Sequence, residues 1–172
     1  MAHRRLEFHM PASEQVVFDA FHYHQWRLRW DSLVRDTRVV GGAPCPFVGA
    51  VTENAGAGGL RLLSMHTRFV SYDRPHLAAA SMIGRSFPFS RWAASMQHKP
   101  LGPCASLLVY TYTFETWPAF LRWLLEPLVQ SIFEHQTRRR FARLHDFLAL
   151  HADEIQCWQE ETGRIRGESN GR

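Results

Sequence analysis

Apolar and polar residues alternate at the start of the chain. Leu6, Phe8 and Met10 are separated by single polar residues, and a period of two is typical of a strand that is buried on one face. Ser13 follows this strand and is a suitable N-cap residue, so a helix is predicted to begin there. A second short helix is predicted over residues 26–33.

The chain between residues 34 and 115 has the pattern of a β-sheet. About six segments are β-branched, aromatic or alternating, and turns rich in glycine and proline separate them. The last two segments, FSRWAASMQH and ASLLVYTYTFE, flank the turn KPLGPC and predict a long antiparallel hairpin. Together with the first strand, these segments predict a sheet of about seven antiparallel strands.

Residues 120–150 carry the pattern of one long helix. Pro118 suits the first turn of such a helix, and an apolar stripe then repeats along it at steps that keep one face apolar. The stripe consists of Leu121, Leu125, Val129, Ile132 or Phe133, Phe141, Leu144 and Leu148. Because a stripe of this length needs a broad apolar partner, the helix is predicted to lie across the concave face of the sheet.

The two halves of this helix differ in amphipathicity. Before Pro127 nearly every side is apolar, so this half is predicted to cover the mouth of a cavity or to contact a partner chain. After Gln130 a single apolar face remains. This second half is predicted to anchor the helix through Phe133, Phe141, Leu144 and Leu148.

The last part of the chain is mainly polar. The helix is predicted to continue to about Glu161, with variable structure beyond Thr162. Trp158 is the exception in this tail, since a large apolar side chain in a polar segment usually seeks a surface. We expect Trp158 to pack on a neighbouring subunit, which would make the protein a homodimer.

The basic residues of the chain bear on nucleic-acid binding. The net charge is +4, and nearly all of the positive charge comes from arginine. Glu134 lies one turn before the basic run, so this run is predicted to be a solvated helix face rather than a nucleic-acid site. The run comprises Arg138, Arg139, Arg140 and Arg143.

The sequence has no pattern typical of a metal site, a cofactor site or a membrane span. The three cysteines lack Cys-x-x-Cys spacing and the ten histidines lack His-x-x-x-His spacing, so no metal or other cofactor is expected. No run of about 18 apolar residues is free of charge, so no membrane span is predicted. The N-terminal segment lacks the apolar core of a signal peptide, and we expect a cytoplasmic protein.

Five stretches of the chain carry a family resemblance. They are MPASEQVVFDAF, WDSLVRDTRVVGGAPCPFVGAV, VSYDRPHLAAA, PLGPCASLLVYTYTFE and WPAFLRWLLEPLV. Over roughly residues 4–150 the sequence resembles the START-like or SRPBCC superfamily, which includes polyketide cyclase-like and coenzyme Q-binding-like proteins. Cys104-Ala105 departs from the Gly-Thr that is usual in the late hairpin of that superfamily.

The resemblance implies an α+β helix-grip fold. A seven-stranded antiparallel sheet would wrap around a long C-terminal helix, and two short helices would follow the first strand. Residues 1–150 would form this domain, and residues 151–172 would extend the helix and end in a flexible tail. The resemblance also implies that a small hydrophobic ligand, such as a lipid, quinone, polyketide or aromatic metabolite, binds between the sheet and the long helix.

Candidate ligand contacts are the large apolar and aromatic residues at inward-facing positions. A cavity of roughly a few hundred Å³ is expected there. Each candidate could instead belong to the packed core, and the many aromatic side chains could fill the cavity. Leu63 shares a predicted strand face with two of the candidates. The candidates are Trp26, Trp30, Met65, Phe69, Trp92, Met96, Tyr110, Tyr112, Phe114, Leu121, Leu125, Val129 and Phe133.

Two other function classes stay open at this point. A polyketide aromatase/cyclase or dehydratase would orient a flexible chain and move a proton with a tyrosine or histidine. No catalytic residue is assigned, because Glu115 falls on the polar side of its strand and His98 ends its strand without an evident partner. A protein-interaction module that uses the exposed tail is the third class.

Overall fold

Seven strands and three α-helices follow one another in the part of the chain that the computed structural model describes, residues 1–32, 34–56 and 64–169. Leu63 and the last residues of the predicted tail, 170–172, lie outside this part. The strands are β1 (Ala2–Met10), β2 (Val34–Val39), β3 (Val51–Gly56), β4 (Ser64–Asp73), β5 (Leu77–Met82), β6 (Phe89–Gly102) and β7 (Ala105–Thr116). The helices are α1 (Glu14–His22), α2 (His24–Trp30) and α3 (Arg122–Ser169), with a 3₁₀ turn at Ala119–Leu121 before α3.

The strands form one antiparallel sheet in the order β1-β7-β6-β5-β4-β3-β2. β6 and β7 make the predicted long hairpin, which runs from Phe89 opposite Thr116 to Gly102 opposite Ala105. The helices α1 and α2 connect β1 to β2, and α3 packs against β1, β7 and α1. The predicted helix-grip fold is therefore confirmed.

Local sequence features explain the first elements. Leu6 and Met10 are buried on one face of β1, as the alternation predicts. The Ser13 hydroxyl accepts a hydrogen bond from the backbone N–H of Val16 at 3.4 Å and caps α1. The indole N–H of Trp30 donates to the Ala20 carbonyl at 2.9 Å, which fixes α2 against α1.

The second half of α3 anchors the helix as predicted. Phe141, Leu144 and Leu148 are almost fully buried, and Phe133 is half-buried. The Phe141 ring packs against the Phe8 ring with centroids 4.7 Å apart, so the apolar face of α3 meets the inward face of β1.

The first half of α3 differs from its prediction. Trp123 is 78% exposed and Phe120 is 76% exposed, and neither borders the cavity between the sheet and α3. The prediction that this half covers the cavity mouth is wrong, because the helix borders the cavity only beyond Pro127, and the alternative of a contact with a partner chain stays a prediction. In the described residues no helix is both long enough and apolar enough to cross a lipid bilayer.

The C-terminal extension also differs from its prediction. The helix continues to Ser169, so the expected end near Glu161 is wrong. Trp158 packs within its own chain, with its ring 4.7 Å from Tyr23 and 5.7 Å from Trp26. Trp158 thus has an aromatic surface within its own chain, and the expected homodimer stays a prediction.

Candidate functional site

A cavity of about 850 Å³ lies between the sheet and the helices. Its walls come from α1, α2, the inward-facing residues of β3 to β7, and the part of α3 from Val129 to Arg143. Exposed side chains on its border show that it opens to solvent; they are Ser32, Phe87, Ile132, Arg139 and Arg143. The predicted cavity is present, and its volume lies within the usual range for small-molecule sites.

Small residues on β5 and β6 keep this space open. Ala80 and Ala94 are direct partners across the two strands, and Ala78 lies opposite Met96. All four side chains border the cavity. Because three of them have only a methyl group as their side chain, this part of the sheet fills less of the volume beneath α3.

The aromatic residues fill a different part of the interior. Tyr112 and Phe114 on β7 stack with centroids 6.0 Å apart. The Phe133 ring from α3 lies 4.8 Å from Tyr112, and the Phe89 ring lies 5.2 Å from Phe114. The predicted risk that aromatic side chains occupy the whole cavity is therefore not realised, since they cluster under the β7 side of the sheet.

Several of the predicted ligand contacts border the cavity. β4 contributes two of them, β6 two and β7 one, and the remaining two lie one turn apart on α3. They are Met65, Phe69, Trp92, Met96, Tyr110, Val129 and Phe133. The residues of this set that lie on β4, β6 and β7 all face inward, which confirms the alternation predicted for those strands.

The other predicted contacts lie elsewhere. Tyr112 and Phe114 are covered by Phe133 and belong to the packed core. Trp26 and Trp30 are buried among α1, α2 and the end of α3. Leu121 and Leu125 precede the part of α3 that reaches the cavity and do not border it.

One wall of the cavity is polar. Thr52, Asn54 and Thr67 border it from β3 and β4. The Thr52 and Thr67 hydroxyls share a hydrogen bond of 2.7 Å, and the Asn54 amide donates to Thr52 at 3.4 Å. Thr37 on β2 donates to the Asn54 oxygen at 2.9 Å, so these side chains form a connected row. This row can offer hydroxyl and amide groups to polar substituents of a ligand.

A charged cluster closes the cavity beside α2 and α3. Asp31 is fully buried and accepts hydrogen bonds from Arg27 at 3.1 Å and from Arg140. Both guanidinium groups also lie over the Phe21 ring, each 4.8 Å from its centroid. Arg27, Arg140 and Phe21 border the cavity, and their contacts with one another and with Asp31 hold them rigidly at its edge.

The protonation of this cluster follows from burial and from the opposed charges. Burial alone would raise the pKa of Asp31, but the charges of Arg140 and Arg27 outweigh it and lower the pKa. Burial and the neighbouring Arg140 lower the pKa of Arg27 to about 10. Burial raises the pKa of the cavity-lining Tyr110 to about 12. At neutral pH Asp31 and Arg27 are thus ionised, and Tyr110 keeps its proton.

The basic run of α3 is only partly the solvated face that the sequence predicts. Arg138 pairs with Glu134 at 2.8 Å on the exposed side, as expected from their spacing. Arg140 instead turns inward to Asp31, and Arg139 and Arg143 border the cavity. The charged cluster around Asp31 was not predicted from the sequence. One signal for it was available, because Arg27 and Asp31 are four residues apart, a spacing of one helical turn that indicates an ion pair.

His22 at the end of α1 is a further cavity residue that sequence reasoning missed. Its Nδ1 donates to the Phe18 carbonyl at 2.9 Å, because a carbonyl oxygen can only accept. Burial and the nearby His98 hold the pKa of His22 well below its usual value. His22 is therefore neutral, its Nε2 carries the lone pair, and the residue borders the cavity.

His98 and Glu115 are less suitable for acid–base chemistry than His22. His98 is buried, and its ring nitrogens have no hydrogen-bond partner among the described residues. Glu115 pairs with Arg122 at 3.1 Å and does not border the cavity. Within the described ranges, no group of three or more His, Cys, Asp or Glu side chains could hold a metal ion.

Comparison with known proteins places this arrangement in a family. The family model described as polyketide cyclase/dehydrase and lipid transport matches residues 1–148. No curated protein shows significant sequence similarity to the chain.

Solved structures share the fold at low sequence identity. XoxI from Bacillus cereus is 17% identical, with a TM-score of 0.68, over 88% of this chain and 99% of that protein. Norcoclaurine synthase from Thalictrum flavum, solved with dopamine and hydroxybenzaldehyde, is 14% identical, with a TM-score of 0.61, over 87% of each chain. BexL, a di-domain ARO/CYC protein of the BE-7585A biosynthetic pathway, is 11% identical, with a TM-score of 0.69, over 88% of this chain and 47% of that one.

Proposed function

Because this chain belongs to the polyketide cyclase/dehydrase and lipid transport family, we propose that it binds a small hydrophobic ligand in the cavity between its sheet and α3. The observation that carries the proposal is the open volume of about 850 Å³ beneath α3. A core that served only for stability would be filled, since protein interiors are packed about as densely as organic crystals.

The walls of the cavity indicate the general nature of the ligand. Ala78, Ala80, Ala94, Met96 and Trp92 form an apolar wall that suits a hydrocarbon or aromatic body. The row of threonine and asparagine side chains on the neighbouring strands suits a few hydroxyl or carbonyl substituents. A lipid, quinone, polyketide or aromatic metabolite combines both features, and specificity in such sites usually rests on few polar groups.

Filling the cavity tests this function. Ala94→Phe places a ring in the space beneath α3, whereas Ala93→Phe places the same ring on the outer face of the same strand. We expect Ala94→Phe to weaken binding of the neutral dye Nile red by about tenfold or more, because the ring occupies the ligand volume. Fluorescence titration of both variants and the native protein measures the effect.

The matched variant separates blocking from misfolding. Ala93→Phe should bind Nile red like the native protein, and circular dichroism should show both variants folded. If Ala94→Phe is folded and binds the dye as tightly as Ala93→Phe, the cavity is not the binding site.

A second candidate function is polyketide cyclisation, and the position of His22 at the cavity wall favours it. Its imidazole is neutral with a fixed tautomer and can accept a proton, although its lowered pKa makes it a weaker base than a free histidine. In an aldol closure, His22 Nε2 would take a proton from the carbon between two carbonyl groups. The resulting carbanion would attack a distant carbonyl carbon, and the new alkoxide would recover the proton from His22. No oxidant or cofactor is needed for this step.

The variant His22→Gln tests the second candidate. We expect it to lower the rate of cyclisation of a poly-β-keto thioester by about a hundredfold, as loss of a general base typically does. Nile red binding should stay unchanged, because glutamine leaves the cavity open. Product analysis by mass spectrometry gives the rate. Equal rates with the native protein and the variant would remove His22 from this role, and no product from either would exclude cyclisation of that substrate.

A further inference from the structure

We propose that the ligand carries an oxyanion, a carboxylate or a phosphate, which binds Arg139 and Arg143 at the mouth of the cavity. This inference rests on the proposed binding function and narrows its substrate class. The ligand would be an amphiphilic anion, with its apolar body inside the cavity and its charged group at α3.

The border of the cavity carries an excess of positive charge. Among the described residues that border the cavity, the ionised side chains are four arginines and no aspartate or glutamate. Asp31 lies directly behind two of them, Arg27 and Arg140, and offsets one positive charge. The cavity edge therefore keeps an excess of positive charge, and an anionic ligand would reduce the mutual repulsion.

The arginines of α3 differ in whether they are paired with a carboxylate. Arg139 and Arg143 are four residues apart on α3 and lie on one face of the helix. Neither forms an ion pair or a side-chain hydrogen bond within the part of the chain that the structure describes. Their neighbour Arg138, which points away from the cavity, is paired with Glu134 at 2.8 Å. The arginine that lies outside the cavity is thus paired with a carboxylate, and the two arginines at the cavity border are not.

The cluster of Arg27, Arg140 and Asp31 beside the mouth is rigid, whereas Arg139 and Arg143 are not fixed by such contacts. Arg27 and Arg140 are fixed by Asp31 and by the Phe21 ring, so they provide a constant positive field beside the mouth. Arg139 and Arg143 are exposed and can turn their guanidinium groups toward an entering oxyanion. Guanidinium groups bind carboxylate and phosphate through paired hydrogen bonds, which favours these two groups over other acceptors.

Three probes with the same alkyl chain test the inference: decanoate, decyl phosphate and decanol. Isothermal titration calorimetry on the native protein should show at least one of the anions binding about tenfold more tightly than decanol, because two charge-assisted contacts are added. The double variant Arg139→Gln/Arg143→Gln should lose this preference and bind decanol as the native protein does. The anion with the higher affinity identifies the group as a carboxylate or a phosphate.

Arg138→Gln is the matched control, since it removes a positive charge from the same helix outside the cavity. It should keep the preference for the anion. If decanol binds as tightly as both anions, or if Arg138→Gln weakens anion binding as much as the double variant, the oxyanion site is refuted while binding in the cavity stands. If none of the three probes binds to the native protein, the proposed binding function fails together with this inference.

Discussion

Two buried histidines make the stability of the protein depend on pH. Burial and the charge of His76 lower the pKa of His98 to about 3, and burial lowers the pKa of His22 well below its usual value. In the unfolded chain both side chains bind protons from about pH 6.5 downward. In the folded protein they stay neutral until much lower pH, so acid favours the unfolded state.

The free energy of unfolding should therefore fall as the pH is lowered from about 6.5 toward 3. Between pH 7.5 and 5.5, each such histidine is expected to reduce the stability by about 1 kcal/mol. In the variant His98→Leu, the part of the pH dependence that comes from His98 should be absent. In the control variant His135→Leu, which changes an exposed histidine, the pH dependence should be that of the native protein. Urea unfolding at both pH values measures the difference. An identical pH dependence in His98→Leu and the native protein would contradict the role of His98.

Helix α3 combines an exposed start, a middle that borders the cavity and a buried anchor. Trp123 is 78% exposed, Val129 and Phe133 border the cavity, and Phe141 is 1% exposed. The change from start to middle follows Pro127, but the helix continues through that residue. Each part should therefore respond differently to truncation.

Phe141→Ala should lower the free energy of unfolding by about 3–5 kcal/mol, because it removes a buried ring from the packing between α3 and β1. Trp123→Ala should change it by less than about 0.5 kcal/mol, as is usual for an exposed side chain, and should leave Nile red binding unchanged. Thermal and urea unfolding measure the stability of both variants. A larger loss in Trp123→Ala than in Phe141→Ala would contradict this description of α3.

The elements of this fold could be predicted because their signals are local. The alternation of Leu6, Phe8 and Met10 identifies β1 wherever the strand lies in the molecule. The apolar stripe identifies α3 for the same reason. The order of such elements along the chain then leads to the helix-grip fold, and the structure confirms it.

The composition of the site was harder to predict, because it depends on how the elements cross. Tyr110 and Tyr112 share one face of β7, but Tyr110 borders the cavity and Tyr112 lies beneath Phe133. Arg140 has the same local surroundings as its exposed neighbours, yet it meets Asp31, which directly follows α2. Neither outcome can be read from residues near in sequence, since each is set by where α3 passes over the rest of the fold.

At the scale of the whole molecule, the interior is divided into a packed part and an open part. Aromatic side chains from β7 and α3 fill the space between α3 and strand β7. On the same face of the sheet, alanines on β5 and β6 leave the space beneath those two strands open. This division lets one fold keep a stable core and a cavity of about 850 Å³ together. The stability of α3 therefore does not require that the cavity be filled by side chains.

Native mass spectrometry of freshly purified protein, compared with its denatured mass, tests the central claim most directly. The native protein and Ala93→Phe should carry an added mass that solvent extraction releases as a small amphiphilic compound. Ala94→Phe should carry none, because its ring occupies the same space. An added mass that persists undiminished in folded Ala94→Phe, or a native protein that neither carries nor takes up any hydrophobic compound, would contradict the account.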